Sequence, residues 1–145
     1  MNGGWLVVAS AVVIASAAGC STQPAHRPAP GTLPAGTAEL GVNGSTAQVT
    51  AAVQCESIEW MRTIRTGNQS SGVTVMLSNA NKLLAEFVRF HDFDGFTGSY
   101  DRHLQGEAGV AMTGPTYRIA GSAVGYADAA PTRRTTEPFE LRVSC

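Results

Sequence analysis

From residue 39 onward, apolar and polar side chains alternate along this chain. Val49, Ala51, Val53 and Cys55 alternate with Thr50, Ala52 and Gln54, and Val73, Val75 and Leu77 alternate with Thr74, Met76 and Ser78. Tyr117, Ile119, Gly121 and Ala123 alternate with Thr116, Arg118, Ala120 and Ser122. Phe139, Leu141, Val143 and Cys145 close the series against Glu140, Arg142 and Ser144. A period of two sends every second side chain to one face, which is the pattern of strands with one buried side. Turn signals separate these runs: Asn43-Gly44, Gly67-Asn68, Asn79-Ala80-Asn81, Asp94-Gly95, Gly114-Pro115 and Ala130-Pro131. The expectation is an all-β domain, an antiparallel β-sandwich or partly open barrel of about eight strands. Residues 82–90 allow two readings. Leu83, Leu84, Phe87 and Val88 would share a helix face, but Asp94-Gly95 just beyond suits a type I′ hairpin turn. A hairpin is expected, because everything around the segment reads as strand.

The N-terminal part follows a different pattern. Residues 5–18 form an apolar run of fourteen residues, the length of an export-signal core and shorter than the roughly 20 residues of a spanning helix. Ala17-Ala18-Gly19-Cys20 follows, and this arrangement resembles the lipobox of bacterial lipoproteins. A peptidase cutting before Cys20 needs small side chains at the two preceding positions, and the thiol is the atom that carries diacylglycerol. Residues 1–19 thus read as a lipoprotein signal peptide, with Cys20 the lipidation site. Two or more acyl chains, such as palmitate, anchor stably, at about 0.8 kcal/mol per buried methylene. After Cys20 the composition shifts to Pro, Thr and Ala, with prolines at 24, 28, 30 and 34. Residues 20–38 are therefore expected to be an extended tether without core contacts, leaving 39–145 as the domain.

Charge narrows the partners. The net charge is −1, and a nucleic-acid surface needs concentrated basic residues where this chain has scattered Arg and a single Lys82. Cysteine usage adds a constraint. With Cys20 assigned to lipid, Cys55 and Cys145 remain, and an even pair in an exported domain reads as a disulfide. Each continues an alternating apolar series, so both sulfurs are expected to face the core.

Few residues suggest catalysis. His91, Asp92, Asp94, Asp101, His103 and Glu107 make the densest polar stretch, and zinc is the sharp hypothesis there. A turn at Asp94-Gly95 would set His91 opposite Gly98 and His103 opposite Glu86, about 17 Å apart along the ladder, too far for one ion. The spacing of Asp92 and Asp94 departs from a calcium-binding loop. Glu56 and Glu59 sit among Arg62 and Arg65 and read as a charged edge. No Gly-x-Ser-x-Gly elbow or phosphate-binding glycine loop occurs. No metal, cofactor or catalytic residue is expected.

The order of features resembles the mycobacterial 19 kDa lipoprotein antigen family. The resemblance rests on Tyr117-Arg118-Ile119-Ala120-Gly121-Ser122-Ala123-Val124-Gly125 and Pro138-Phe139-Glu140-Leu141-Arg142-Val143-Ser144-Cys145 near the end. Val42-Asn43-Gly44, the run from Val49 to Cys55, and the leader–cysteine–tether layout add to it. It implies a non-enzymatic, acylated envelope protein displayed on the extracytoplasmic face of the cell membrane. Host innate receptors would meet its lipid and antibodies its domain. It also implies Cys20 as the acylated residue and Cys55 with Cys145 as the domain's pair. A monomer is expected. The alternative is a small β-domain that binds an apolar envelope ligand such as a lipid.

Overall fold

The computed structural model describes residues 29–145, and the alternation is realised there as ten antiparallel strands. They are β1 (Thr37–Val42), β2 (Gln48–Thr50), β3 (Val53–Ile58), β4 (Met61–Gly67), β5 (Gly72–Ser78), β6 (Leu84–Phe93), β7 (Phe96–Asp101), β8 (Glu107–Thr113), β9 (Thr116–Ala127) and β10 (Arg134–Ser144). No helix occurs among the described residues, so the segment 82–90 belongs to a hairpin. The strands run in the order β2-β1-β10-β9-β7-β6-β5-β4-β3, with β8 attached to β9. The count exceeds eight partly because the run from Val49 to Cys55 divides at Ala51-Ala52 into β2 and β3.

The spine is the β9–β10 pair, in register along the 11 residues of β10. The opposite edge of β9 is shared: residues 124–127 pair with β7, and residues 116–122 pair with β8. Close approach at this edge requires glycine. A Cβ at Gly121 would lie 2.8 Å from Ala108 Cα and would overlap the Glu107 carbonyl.

The sheet curls around one core. Leu40 of β1, Ile64 of β4, Val75 of β5, Val88 of β6, Ile119 of β9 and Leu141 of β10 are all buried in it. Phe90 lies at the centre, its ring centroid 5.3 Å from Phe139 and 5.7 Å from Phe96, the latter edge-on. Full burial of such a ring contributes roughly 1.5–3 kcal/mol. Curling brings β3, at one end of the strand order, to the end of β10, and the Cys55–Cys145 disulfide joins them. The result is a partly open, stapled barrel.

Two turns form as expected. Asn43 and Gly44 have φ of 53° and 66°, and Asp94 and Gly95 have 51° and 72°, the left-handed pairs of type I′ turns. The β6–β7 ladder differs from expectation beyond its turn. Phe93 pairs with Phe96, but then His91 and Asp92 bulge and Phe90, not His91, faces Gly98. Asp92 takes φ of 43° in the bulge, and its N–H donates to Thr97 Oγ1 at 3.0 Å. The slip continues up the ladder, so Arg102 N–H, rather than His103, meets Glu86, donating to its carbonyl at 2.9 Å.

Cys55 and Cys145 are both exposed rather than buried in the core, although Cys55 lies opposite buried Ile64 and so on the inward side of its edge strand. β2 and β3 are the two ends of the sheet, and Ala51-Ala52 interrupts the series that was expected to point inward. Val49, the first member, is 75% exposed. At the other end, Val143 and Ser144 are both buried, which breaks the alternation just before Cys145.

The segment expected as a free tether also differs where it is described. Leu33 N–H donates to Thr116 Oγ1 at 2.9 Å, and Arg142 Nη2 donates to the Gly31 carbonyl at 2.8 Å. Gly36 N–H donates to the Ser144 carbonyl at 2.8 Å, and Ala38 is fully buried. Strand pairing thus starts at Thr37, and residues 31–36 lie against β9 and β10 because their backbone groups find partners there. The signal segment 1–19, Cys20 and the rest of the tether to residue 28 lie outside the described residues.

Candidate functional site

The polar residues singled out from the sequence do not converge. His91 is exposed and pairs with Gly72 of β5. His103 sits in the turn after β7 with φ of 64°. Asp101 accepts hydrogen bonds from Ser99 Oγ at 2.5 Å and Arg89 Nη2 at 3.4 Å, and Glu107 is exposed on β8. Among the described residues no group of three or more His, Cys, Asp or Glu could hold a metal ion. Glu56 lies 3.7 Å from Arg65 across the β3–β4 ladder, while Glu59 occupies the hairpin turn with φ of 52°. Both partners of the Glu56–Arg65 pair are more than half exposed, so its contribution is small.

Sequence reasoning missed one carboxylate pair. The Asp128 carboxyl hydrogen-bonds that of Asp92, and this bond, ahead of burial and like-charge repulsion, pushes the Asp128 carboxyl above its ordinary range. The two are distant in sequence and meet because Asp128 N–H reaches back to the Gly95 carbonyl at 2.9 Å. Elsewhere, the Arg118 guanidinium donates to Glu140 at 2.8 Å and lowers its carboxyl.

The surface carries open grooves. One of 840 Å³ runs beside the start of β3 and is lined by Gln54, Arg65, Asn68, Arg89 and His91 among others. A smaller one, 270 Å³, lies between the β3–β4 turn and the β8–β9 hairpin, lined by Trp60, Met61, Leu83, Met112 and Tyr117. The meeting of Trp60 and Met112 across this groove, whose wall also holds Ser57, Glu59, Arg62, Ser78 and Asn79, is the second feature with no sequence signal. Trp60 sits at the tip of a hairpin whose neighbours Glu59 and Arg62 read as a charged edge.

The disulfide is the one cross-link the described cysteines make, with Cα atoms 6.0 Å apart and 90 positions between them in sequence. Fold and cysteines together define a small, all-β, disulfide-stapled domain carried behind a lipobox-like sequence. Residues 31–145 match the family model of the Mycobacterium 19 kDa lipoprotein antigen. The chain belongs to that family. Relatives include a putative lipoprotein of Mycobacterium indicus pranii, 32% identical over 96% of both chains. The probable lipoprotein LppE of Mycobacterium tuberculosis is 30% identical, covering 79% of this chain and 81% of its own. Lipoprotein LpqH of Mycobacterium avium is 30% identical over 72% of this chain and 65% of its own length. Membership places the chain in a family of lipoprotein antigens.

Proposed function

We propose that this protein is a non-enzymatic envelope lipoprotein, held on the extracytoplasmic face of the cell membrane by acyl chains on Cys20. Its β-domain is the displayed, antigenic part, and its acyl chains are what host innate receptors engage. The observation that carries this reading is the apolar leader ending at Ala17-Ala18-Gly19-Cys20, directly ahead of a lipoprotein-family domain. Acylation supplies the anchor and the disulfide supplies endurance outside the cell, where chaperones and reducing power are lacking. The domain acts as a monomer.

An apolar-ligand role has less support. The 840 Å³ groove is larger than the roughly 300 Å³ a small ligand occupies, but Arg65, Arg89, His91, Gln54 and Asn68 share its wall with Ala51, Ala52, Val53 and Val73, so it suits a mixed rather than a purely apolar ligand.

Fractionation of cells making Cys20→Ala tests the anchor. The variant should leave the membrane pellet or retain its leader. A variant that pellets like the parent, with its leader removed, would refute the role of Cys20.

A further inference from the structure

The chain that leads to Cys20 enters the described domain at one defined place. A Cβ on Gly31 would lie 3.7 Å from Thr113 Cγ2, and one on Gly114 would lie 3.3 Å from Thr32 Cγ2. Leu33 N–H is bonded to Thr116 Oγ1. The segment 31–33 therefore runs beside the tight turn that joins β8 to β9. Only eight residues lie between Cys20 and Ala29, and covalent geometry limits the nine steps of that span to about 32 Å. Anchoring through Cys20 would keep this end of the barrel within that distance of the lipid.

The same end carries exposed apolar side chains. Met112 immediately precedes Thr113 and is 48% exposed. Across the 270 Å³ groove from it stands Trp60 of the β3–β4 turn, 55% exposed, and Ile58, two residues earlier at the end of β3, is 65% exposed. Met112 thus sits beside the exit of the tether, Trp60 faces it across the groove, and Ile58 stands two residues from Trp60. Water is a poor solvent for such a group, whereas the headgroup–acyl boundary of a bilayer suits indole, aliphatic and thioether side chains. One carboxylate, Glu59, and one guanidinium, Arg62, lie in the groove wall, so no excess charge draws the patch to anionic lipid.

We propose that Ile58, Trp60 and Met112 form a membrane-docking patch through which the domain rests on the lipid surface that holds its own anchor. The proposal depends on acylation of Cys20, because the anchor brings the patch to the bilayer. The apolar side chains enter the interfacial layer, the contact is insensitive to salt, and the opposite end of the barrel faces outward.

Trp60 is a built-in reporter. The chain has two tryptophans, and Trp5 lies in the leader that is removed. The acylated mature protein is reconstituted in phosphatidylcholine–phosphatidylglycerol vesicles whose acyl chains are brominated. Co-sedimentation reads the anchor, and quenching of Trp60 relative to unbrominated vesicles reads the docking. The expected result is co-sedimentation with about twofold quenching that persists in high salt. The Ile58→Ser/Met112→Ser double variant should co-sediment equally, keep its melting midpoint because both sites are exposed, and lose most of the quenching. Co-sedimentation without quenching overturns the docking and leaves the anchor standing. Failure to co-sediment overturns the anchor, and the docking with it. Trp60 untouched by bromine but increasingly shielded from acrylamide as protein concentration rises assigns the patch to a second copy and also overturns the proposal.

Discussion

Cys145→Ser cuts the covalent link between the last strand and β3. The bond spans 90 positions, and closing a loop of that length restricts the unfolded chain by about 4.6 kcal/mol in the chain-entropy model. Both cysteines are exposed, so the substitution opens no core cavity and adds no packing loss to that figure. At about 4 °C per kcal/mol for a domain of this size, the melting midpoint should fall by roughly 15–20 °C. The loss should also have a location. β3 pairs on one side only, with β4, so the disulfide is what holds this end strand to the end of β10. Hydrogen exchange should accelerate first in β3 and in the final residues of β10, with the β9–β10 spine still protected. Exposure further predicts that a mild thiol reductant opens the bond in the folded protein without denaturant. Calorimetry of parent and variant, followed by exchange mapped by mass spectrometry, measures both effects. A fall of less than about 5 °C, or unchanged protection of β3, would refute the view that the staple closes the barrel.

Gly121→Val should cost about 2–3 kcal/mol, because its side chain would overlap the Glu107 carbonyl and push β8 from β9; chemical denaturation would read it. Ser144→Ala should raise stability by about 1 kcal/mol, since the Ser144 hydroxyl is buried without a hydrogen-bond partner and alanine removes that desolvation cost. The raised Asp128 carboxyl means that the folded state holds this proton more tightly than the unfolded chain. Stability from this group is present below the ordinary Asp value of 3.8 and declines as pH rises through the higher folded value. Asp128→Asn should flatten that decline in melting curves taken across the acidic range, and an unchanged pH profile would contradict the Asp92–Asp128 contact.

Legibility from sequence followed regularity of the sheet. β5 and the inward faces of β9 and β10 were readable because alternating residues meet the core there without interruption until Ser144. β6 was ambiguous for a physical reason. Its buried residues Ala85, Val88, Phe90 and Phe93 are spaced three, two and three apart. Two bulges cause this, one where β6 shifts register against β5 near Glu86 and one at His91-Asp92. Each adds a residue to the strand and mimics helical spacing. β8 escaped notice because Ala108, Gly109 and Val110 carry little bulk and are at most half-buried. The disulfide pairing was legible from counting cysteines, but its orientation was not. Alternation tells which residues share a face, and only the sheet order reveals that β3 is an edge, which leaves Cys55 exposed even though it lies opposite buried Ile64. The proposed docking patch left no trace in sequence, since Trp60 and Met112 share a groove through tertiary curling alone. Cys20 is the reverse case: its reading rests on sequence alone, because it lies outside the described residues.

Whether Cys20 carries the anchor is decided by mass spectrometry of the intact protein from its native envelope. The expected species begins at Cys20 and bears a diacylglyceryl group whose two fatty-acyl esters base hydrolysis removes, leaving glycerol on the sulfur, and it lacks two protons for the Cys55–Cys145 bond. A protein that retains residues 1–19 with an unmodified Cys20 would contradict the anchor at Cys20.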